Sequence, residues 1–147
     1  MLTRQIRTGD RASRSWMVVL SPGEEARECL LGFAREQQIP SASFFAVGAF
    51  ERAVVAYFEW EKKAYKHIPI NQQVEVLSLI GDIVPDEQGT HVLHAHAVLG
   101  MSDGDARGGH LIEGHVRPTL EVTLTETSAN LVRRMRDDLG IALIDVK

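Results

Sequence analysis

From Val92 to Leu99 the chain alternates without a break, with Val92, His94, His96 and Val98 on one set of positions and Leu93, Ala95, Ala97 and Leu99 on the other. A period of two is the mark of an extended strand with one face on a core. Similar runs of β-branched and aromatic residues surround it: Trp16 to Leu20, Phe44 to Ala49, Ala53 to Trp60, Tyr65 to Ile70, Val74 to Ile83, Leu111 to Val116, Leu120 to Thr125 and Ile141 to Val146. Phe50-Glu51-Arg52 reads as the turn of a hairpin, and Pro85-Asp86-Glu87-Gln88-Gly89 as a second turn. Val76, Leu77, Leu79 and Ile80 make the Val74 run apolar on nearly every residue, the pattern of a strand covered on both faces.

Two helices complete the pattern. Ser21-Pro22-Gly23-Glu24 has the chemistry of a helix start, with Ser21 as cap, Pro22 in the first turn and Glu24 closing a capping box. Ala26, Cys29, Leu30, Phe33 and Ala34 follow at three- and four-residue intervals until Ile39-Pro40 ends the helix. Leu131, Met135 and Leu139 step by four before Gly140, which predicts a second short helix. Many strands in hairpin-like succession with only two helices predict an α+β fold, a mostly antiparallel or mixed β-sheet forming a single domain over residues 1–147.

At 147 residues the chain can bury a sufficient core without a disulfide framework or a structural metal, so a metal site would have a functional reason. The formal charge of −4 is the wrong sign for broad neutralisation of phosphates, and DNA as a partner has no support from charge. Cys29 is the only cysteine, which excludes an intramolecular disulfide and points to the reducing cytoplasm. Its apolar neighbours make it a core residue rather than a nucleophile. Charges scattered through the N-terminal segment do not fit a signal peptide, and no apolar run reaches the roughly eighteen residues of a membrane span.

The histidines carry the chemistry. On a strand, the Cα atoms of His94 and His96 lie about 6.6 Å apart on one face, close enough for both imidazoles to reach one metal ion. The turn-rich segment from Gly100 to Gly109, centred on Asp103-Gly104, predicts that the next strand returns antiparallel and brings His110 beside His96. A two-residue turn at Asp103-Gly104 sets His110 opposite Ala97, one position out, so a bulge at Gly108-Gly109 is expected to correct the register. His94, His96 and His110 then supply three neutral nitrogens with a fourth position open, the arrangement of a catalytic zinc site; other divalent transition metals also accept imidazole. The competing reading leaves these histidines as polar or interface residues on a sheet surface. Alternation places His91 and His115 on the faces opposite to the ligands.

His94-Ala95-His96, Gly108-Gly109-His110-Leu111, Glu113-Gly114 and Thr119-Leu120-Glu121-Val122, together with Pro22-Gly23-Glu24, resemble the PPC (plant and prokaryote conserved) domain over nearly the whole chain. The resemblance implies the PPC fold and a homotrimer, and it matches the stand-alone prokaryotic type because no Arg-Gly-Arg-Pro core of an AT-hook occurs. The fold is also similar to that of acetolactate decarboxylase, where a His-x-His pair and a later histidine hold a catalytic zinc, which implies the same role for His94, His96 and His110. On this reading the chain binds or converts a small-molecule ligand at a metal site, with zinc-dependent lyase or hydrolase chemistry among the open reaction types. DNA-binding regulation, as the family label suggests, and an oligomeric interaction scaffold are the alternatives.

Metal-assisted chemistry normally needs a carboxylate for proton transfer, and Glu113 and Glu121 are the catalytic candidates. Glu121 shares its face with threonines and also fits a solvated sheet surface. Arg117 is a candidate anion clamp. The run Arg133-Arg134-Met135-Arg136, followed at once by Asp137-Asp138, reads as a solvated helix face rather than a phosphate-binding patch.

Overall fold

The computed structural model describes residues 1–7, 14–127 and 131–145. The described elements run β1 (Leu2–Arg7), β2 (Ser15–Leu20), α1 (Ala26–Glu36), β3 (Ala42–Glu59), β4 (Ala64–Ile70), β5 (Val74–Pro85), β6 (His91–Gly100), β7 (Ala106–Glu126), β8 (Val132–Arg136) and β9 (Ile141–Asp145). Seven strands form one antiparallel sheet in the order β1-β2-β7-β6-β5-β3-β4, and a further pairing of β3 with β7 closes the central four strands on themselves. α1 lays Leu30, Phe33 and Ala34 on the core, where Phe33 meets Trp16 edge-on at 5.7 Å. No helix among the described residues is long and apolar enough to cross a membrane.

Five sequence expectations require correction. Phe50-Glu51-Arg52 is not a turn: β3 runs through it for 18 residues, with Phe50 fully buried opposite Val116 and Arg52 opposite His115. A turn would have exposed the Phe50 ring; register shifts on both sides of Phe50 bend the strand instead. The two runs Leu111 to Val116 and Leu120 to Thr125 likewise belong to one strand, the 21-residue β7, which pairs with β3 along most of its length.

The helix starts later than its capping signal. Glu24 does accept the Ser21 N–H at 2.7 Å, but Gly23 and Glu24 exchange backbone hydrogen bonds with Val116 of β7, which holds them extended. Glu25 is the N-cap, accepting the Glu28 N–H.

The second helix is absent. Residues Val132–Arg136 and Ile141–Asp145 form a two-stranded hairpin, β8-β9, whose turn ends at Gly140 with φ +74°. A glycine stop serves a hairpin turn as well as a helix end. Arg133 decides between them: it is only 6% exposed and binds Asp82 of β5 with both carboxylate oxygens, at 2.7 and 3.0 Å. Val146, the expected end of the last strand, lies outside the described residues.

β5 is not covered on both faces in the single chain. Val76 and Leu79 are buried, whereas Leu77 and Ile80 are 57% and 58% exposed, and Phe45, Val47 and Val98 of the flanking strands are exposed with them. Phe45, Ile80 and His96 are cross-strand partners in one row, so this bare apolar face runs up to the histidines.

Candidate metal centre

His94 and His96 stand on one face of β6, and the β6-β7 register places His110 directly opposite His96. The register is set in the connection, not by a bulge at Gly108-Gly109. Gly100 pairs with Ala106 and leaves Met101 to Asp105 as a five-residue loop, closed by Met101 N–H to Asp105 O at 2.7 Å and Gly104 N–H to Met101 O at 3.0 Å. That odd-length loop supplies the one-residue correction that a two-residue turn lacks. The glycines have another function: a Cβ on Gly108 would sit 2.6 Å from Ala97 O, and one on Gly109 2.5 Å from Ala56 O. Bare backbone there lets β6 and β3 approach β7 closely on either side of His110.

The three rings face one another, with centroids 5.1 Å apart for His94–His96 and His94–His110 and 5.6 Å for His96–His110. One nitrogen from each lies within 4.8 Å of the others. A tetrahedral set at Zn–N of about 2.1 Å has nitrogens about 3.4 Å apart, so small ring rotations complete the fit. The Nδ1 of His110 is buried with no hydrogen-bond partner among the described residues, a polar atom whose cost a metal ion would remove. The donor set suits zinc or another divalent transition ion.

Sequence reasoning missed the residues that orient this set. Asp82 is the cross-strand partner of His94, and its Oδ2 lies 3.8 Å from His94 Nδ1. A carboxylate at that nitrogen favours the tautomer that presents the opposite nitrogen to an ion. Burial alone would raise the Asp82 pKa, but His94 and the hydrogen-bonded Arg133 outweigh it and hold the carboxyl below its ordinary range. The turn at Pro85 to Gly89 was readable, and a five-residue loop there fixes Pro85 opposite His91 and hence Asp82 opposite His94. Asp82→Asn is expected to weaken metal binding about 10- to 100-fold while saturating at the same stoichiometry, as measured by competition with a chromophoric chelator.

Burial, reinforced by His94 and His96, pushes the His110 pKa down from 6.5 to about 4, and burial also lowers that of His96. Between those values the unfolded chain binds a proton at position 110 that the folded chain refuses, so acidification favours unfolding. The metal-free protein is expected to keep full stability above about pH 6.5 and to lose it progressively towards pH 4. Urea denaturation at a series of pH values checks this, with His110→Asn expected to flatten the profile.

A cleft of about 500 Å³ opens over the rings, lined by Arg27, Phe58 and Tyr65 of the main domain and by residues of the β8-β9 hairpin. Tyr65 packs on His110 at 4.9 Å. Glu113 and Glu121 do not line it. Glu113 pairs with His115 in a separate surface cleft beside Glu25, and Glu121 is exposed next to Val47. Arg117 is exposed and 3.6 Å from Glu51. His91 bonds the Ile39 carbonyl at 2.7 Å on the side away from the cluster. Cys29 packs against the core, and burial raises its pKa, so the thiol stays protonated. The basic run is consumed by carboxylates: Arg133 by Asp82, Arg134 by Glu87 and Asp145, and Arg136 by Asp138.

Residues 7–128 match the model of the Plants and Prokaryotes Conserved (PCC) domain. No curated protein matches the chain. A plant- and prokaryote-conserved (PPC) protein from Pyrococcus horikoshii is 32% identical, with 95% of this chain and 97% of that chain covered at a TM-score of 0.86. A candidate DNA-binding protein from Bacteroides thetaiotaomicron is 26% identical, covering 97% and 96% at 0.87. A metal-containing protein from Archaeoglobus fulgidus is 28% identical, covering 90% and 94% at 0.84. α-Acetolactate decarboxylase from Bacillus subtilis shares the fold alone, at 13% identity and a TM-score of 0.56, with 86% of this chain and 58% of that chain covered.

Proposed function

The chain belongs to the Plants and Prokaryotes Conserved (PCC) domain family, and on that footing we propose that it is a cytoplasmic metal-site protein that binds or converts a small molecule. The observation that carries this reading is the convergence of His94, His96 and His110 at the floor of a cleft large enough for a metabolite. The metal-containing relative from Archaeoglobus fulgidus supports it. A bound zinc supplies Lewis acidity and lowers the pKa of a bound water to about 7. The chain's own part is to present three neutral imidazoles, with Asp82 and Arg133 fixing the first of them and Tyr65 packed on His110. A catalytic part for Glu113 or Glu121 requires a second copy of the chain to bring it to the cleft. Metal analysis of protein purified without added metal tests the reading; stoichiometric zinc or another transition ion is expected, and its absence refutes it.

The second element of this reading is a homotrimer. Its support is the β5 pattern, apolar on both faces while the single chain covers only one, with Phe45, Val47, Leu77, Ile80 and Val98 bare. Sedimentation equilibrium is expected to give the mass of three chains, and Ile80→Asp to shift it to one; a monomeric parent refutes the assembly.

DNA binding rests on the name given to the Bacteroides relative. The charge of −4 and the pairing of Arg133, Arg134 and Arg136 with carboxylates weigh against it.

A further inference from the structure

The cleft above the histidines has two walls of different origin. One belongs to the family domain. The other is the β8-β9 hairpin, which lies beyond residue 128, where the family match ends. The hairpin is anchored over the site by Arg133 on Asp82 and by the Lys63 ammonium on the Asp138 carbonyl at 2.7 Å.

The lining has a one-sided charge. Arg27 and Arg133 stand there beside the three histidines, and among the described residues no Asp or Glu lines the cleft. Asp82 is already committed to Arg133 and His94. Arg27 donates one N–H to the Leu111 carbonyl at 2.9 Å and forms no ion pair among the described residues, so further guanidinium donors remain for a ligand. Arg133 is 6% exposed and its Nε has no partner among the described residues. The Arg27 guanidinium, half-buried and outside any ion pair among the described residues, favours an anion, because each charge-assisted hydrogen bond is stronger there than in water. The remaining walls are apolar, with Phe58 and Tyr65 on one side and Ile141 and Leu143 of the hairpin on the other. Such walls disfavour a bare inorganic anion and accommodate a hydrocarbon body.

Resting on the reading of the histidines as a metal site, we propose that the cleft binds a small organic carboxylate with an apolar body, that Arg27 is its anion-binding residue, and that the C-terminal hairpin selects the body. The Arg27 guanidinium takes the negative charge near the imidazoles, while Ile141 and Leu143 cover the hydrocarbon.

Calorimetric titration of the full, zinc-supplemented chain with three probes tests this: isovalerate, isovaleramide, which lacks the charge, and acetate, which lacks the body. Isovalerate is expected to bind at least about tenfold more tightly than either of the others. Arg27→Gln is expected to lose about tenfold in isovalerate affinity with metal content unchanged, and Arg27→Lys to recover part of it. Leu143→Ala, at a partly exposed position that tolerates change, is expected to narrow the gap between isovalerate and acetate. Equal affinity for acid and amide, or an Arg27→Gln protein that folds and binds isovalerate as before, overturns the proposal. Metal content measured on the same samples separates the two readings: full metal without acid selectivity sinks only the present one. A metal-free chain must still prefer acid over amide, because the Arg27 guanidinium remains, and failure there overturns the anion site as well.

Discussion

Zinc-supplemented protein is expected to retain about one ion per chain after dialysis, and His94→Ala, His96→Ala and His110→Ala each to retain none, by elemental analysis. The three nitrogens come from two strands whose register is held by the five-residue loop Met101 to Asp105, so removing any one leaves two donors. Two neutral nitrogens lack the chelate that holds the ion against dialysis. Stability should follow occupancy. At a metal concentration a thousand times Kd, binding adds about 4 kcal/mol, which for a domain of this size raises Tm by roughly 8–16 °C. The three variants are expected to lose that increment, and His115→Ala to keep it, since His115 pairs with Glu113 in a different cleft. Full metal content in all three variants would show that the ion sits elsewhere.

Phe50→Ala is expected to cost about 3–5 kcal/mol in urea denaturation of the metal-free protein, or roughly 10 °C in Tm. The ring is fully buried and lies over Gly114, where even a Cβ would come within 2.6 Å of it. Had Phe50 occupied an exposed turn, the same substitution would cost within about 0.5 kcal/mol. The measurement therefore distinguishes the continuous, bent β3 from a hairpin at Phe50-Glu51-Arg52.

The legible parts of the fold were those with strong local periodicity. The His94–His96 pair followed from strict alternation over eight positions, and the return of His110 followed from the turn chemistry around Asp103-Gly104. The reversal at Pro85 to Gly89 was legible for the same reason: Asp86 accepts the N–H groups of Gln88 and Thr90. The local rules failed where two explanations shared one pattern. Leu131, Met135, Leu139 and Gly140 satisfy a helix and its stop, yet Val132 to Arg136 also fits a strand, and the choice falls to a buried ion pair with Asp82 some fifty residues earlier. Ser21 to Glu24 carries a helix-start signal that β7 overrides by claiming the backbone of Gly23 and Glu24.

By itself the sequence determined a β-rich domain with one amphipathic helix and three histidines on adjacent strands, because these depend on side-chain period and turn residues within a few positions of one another. Only the tertiary structure decided that β3 and β7 run unbroken against each other, that Asp82 and Arg133 stand behind His94, and that the C-terminal segment closes over the site as a hairpin. Those outcomes depend on long-range pairing and on the burial of particular charges, whose energies exist only once distant segments meet.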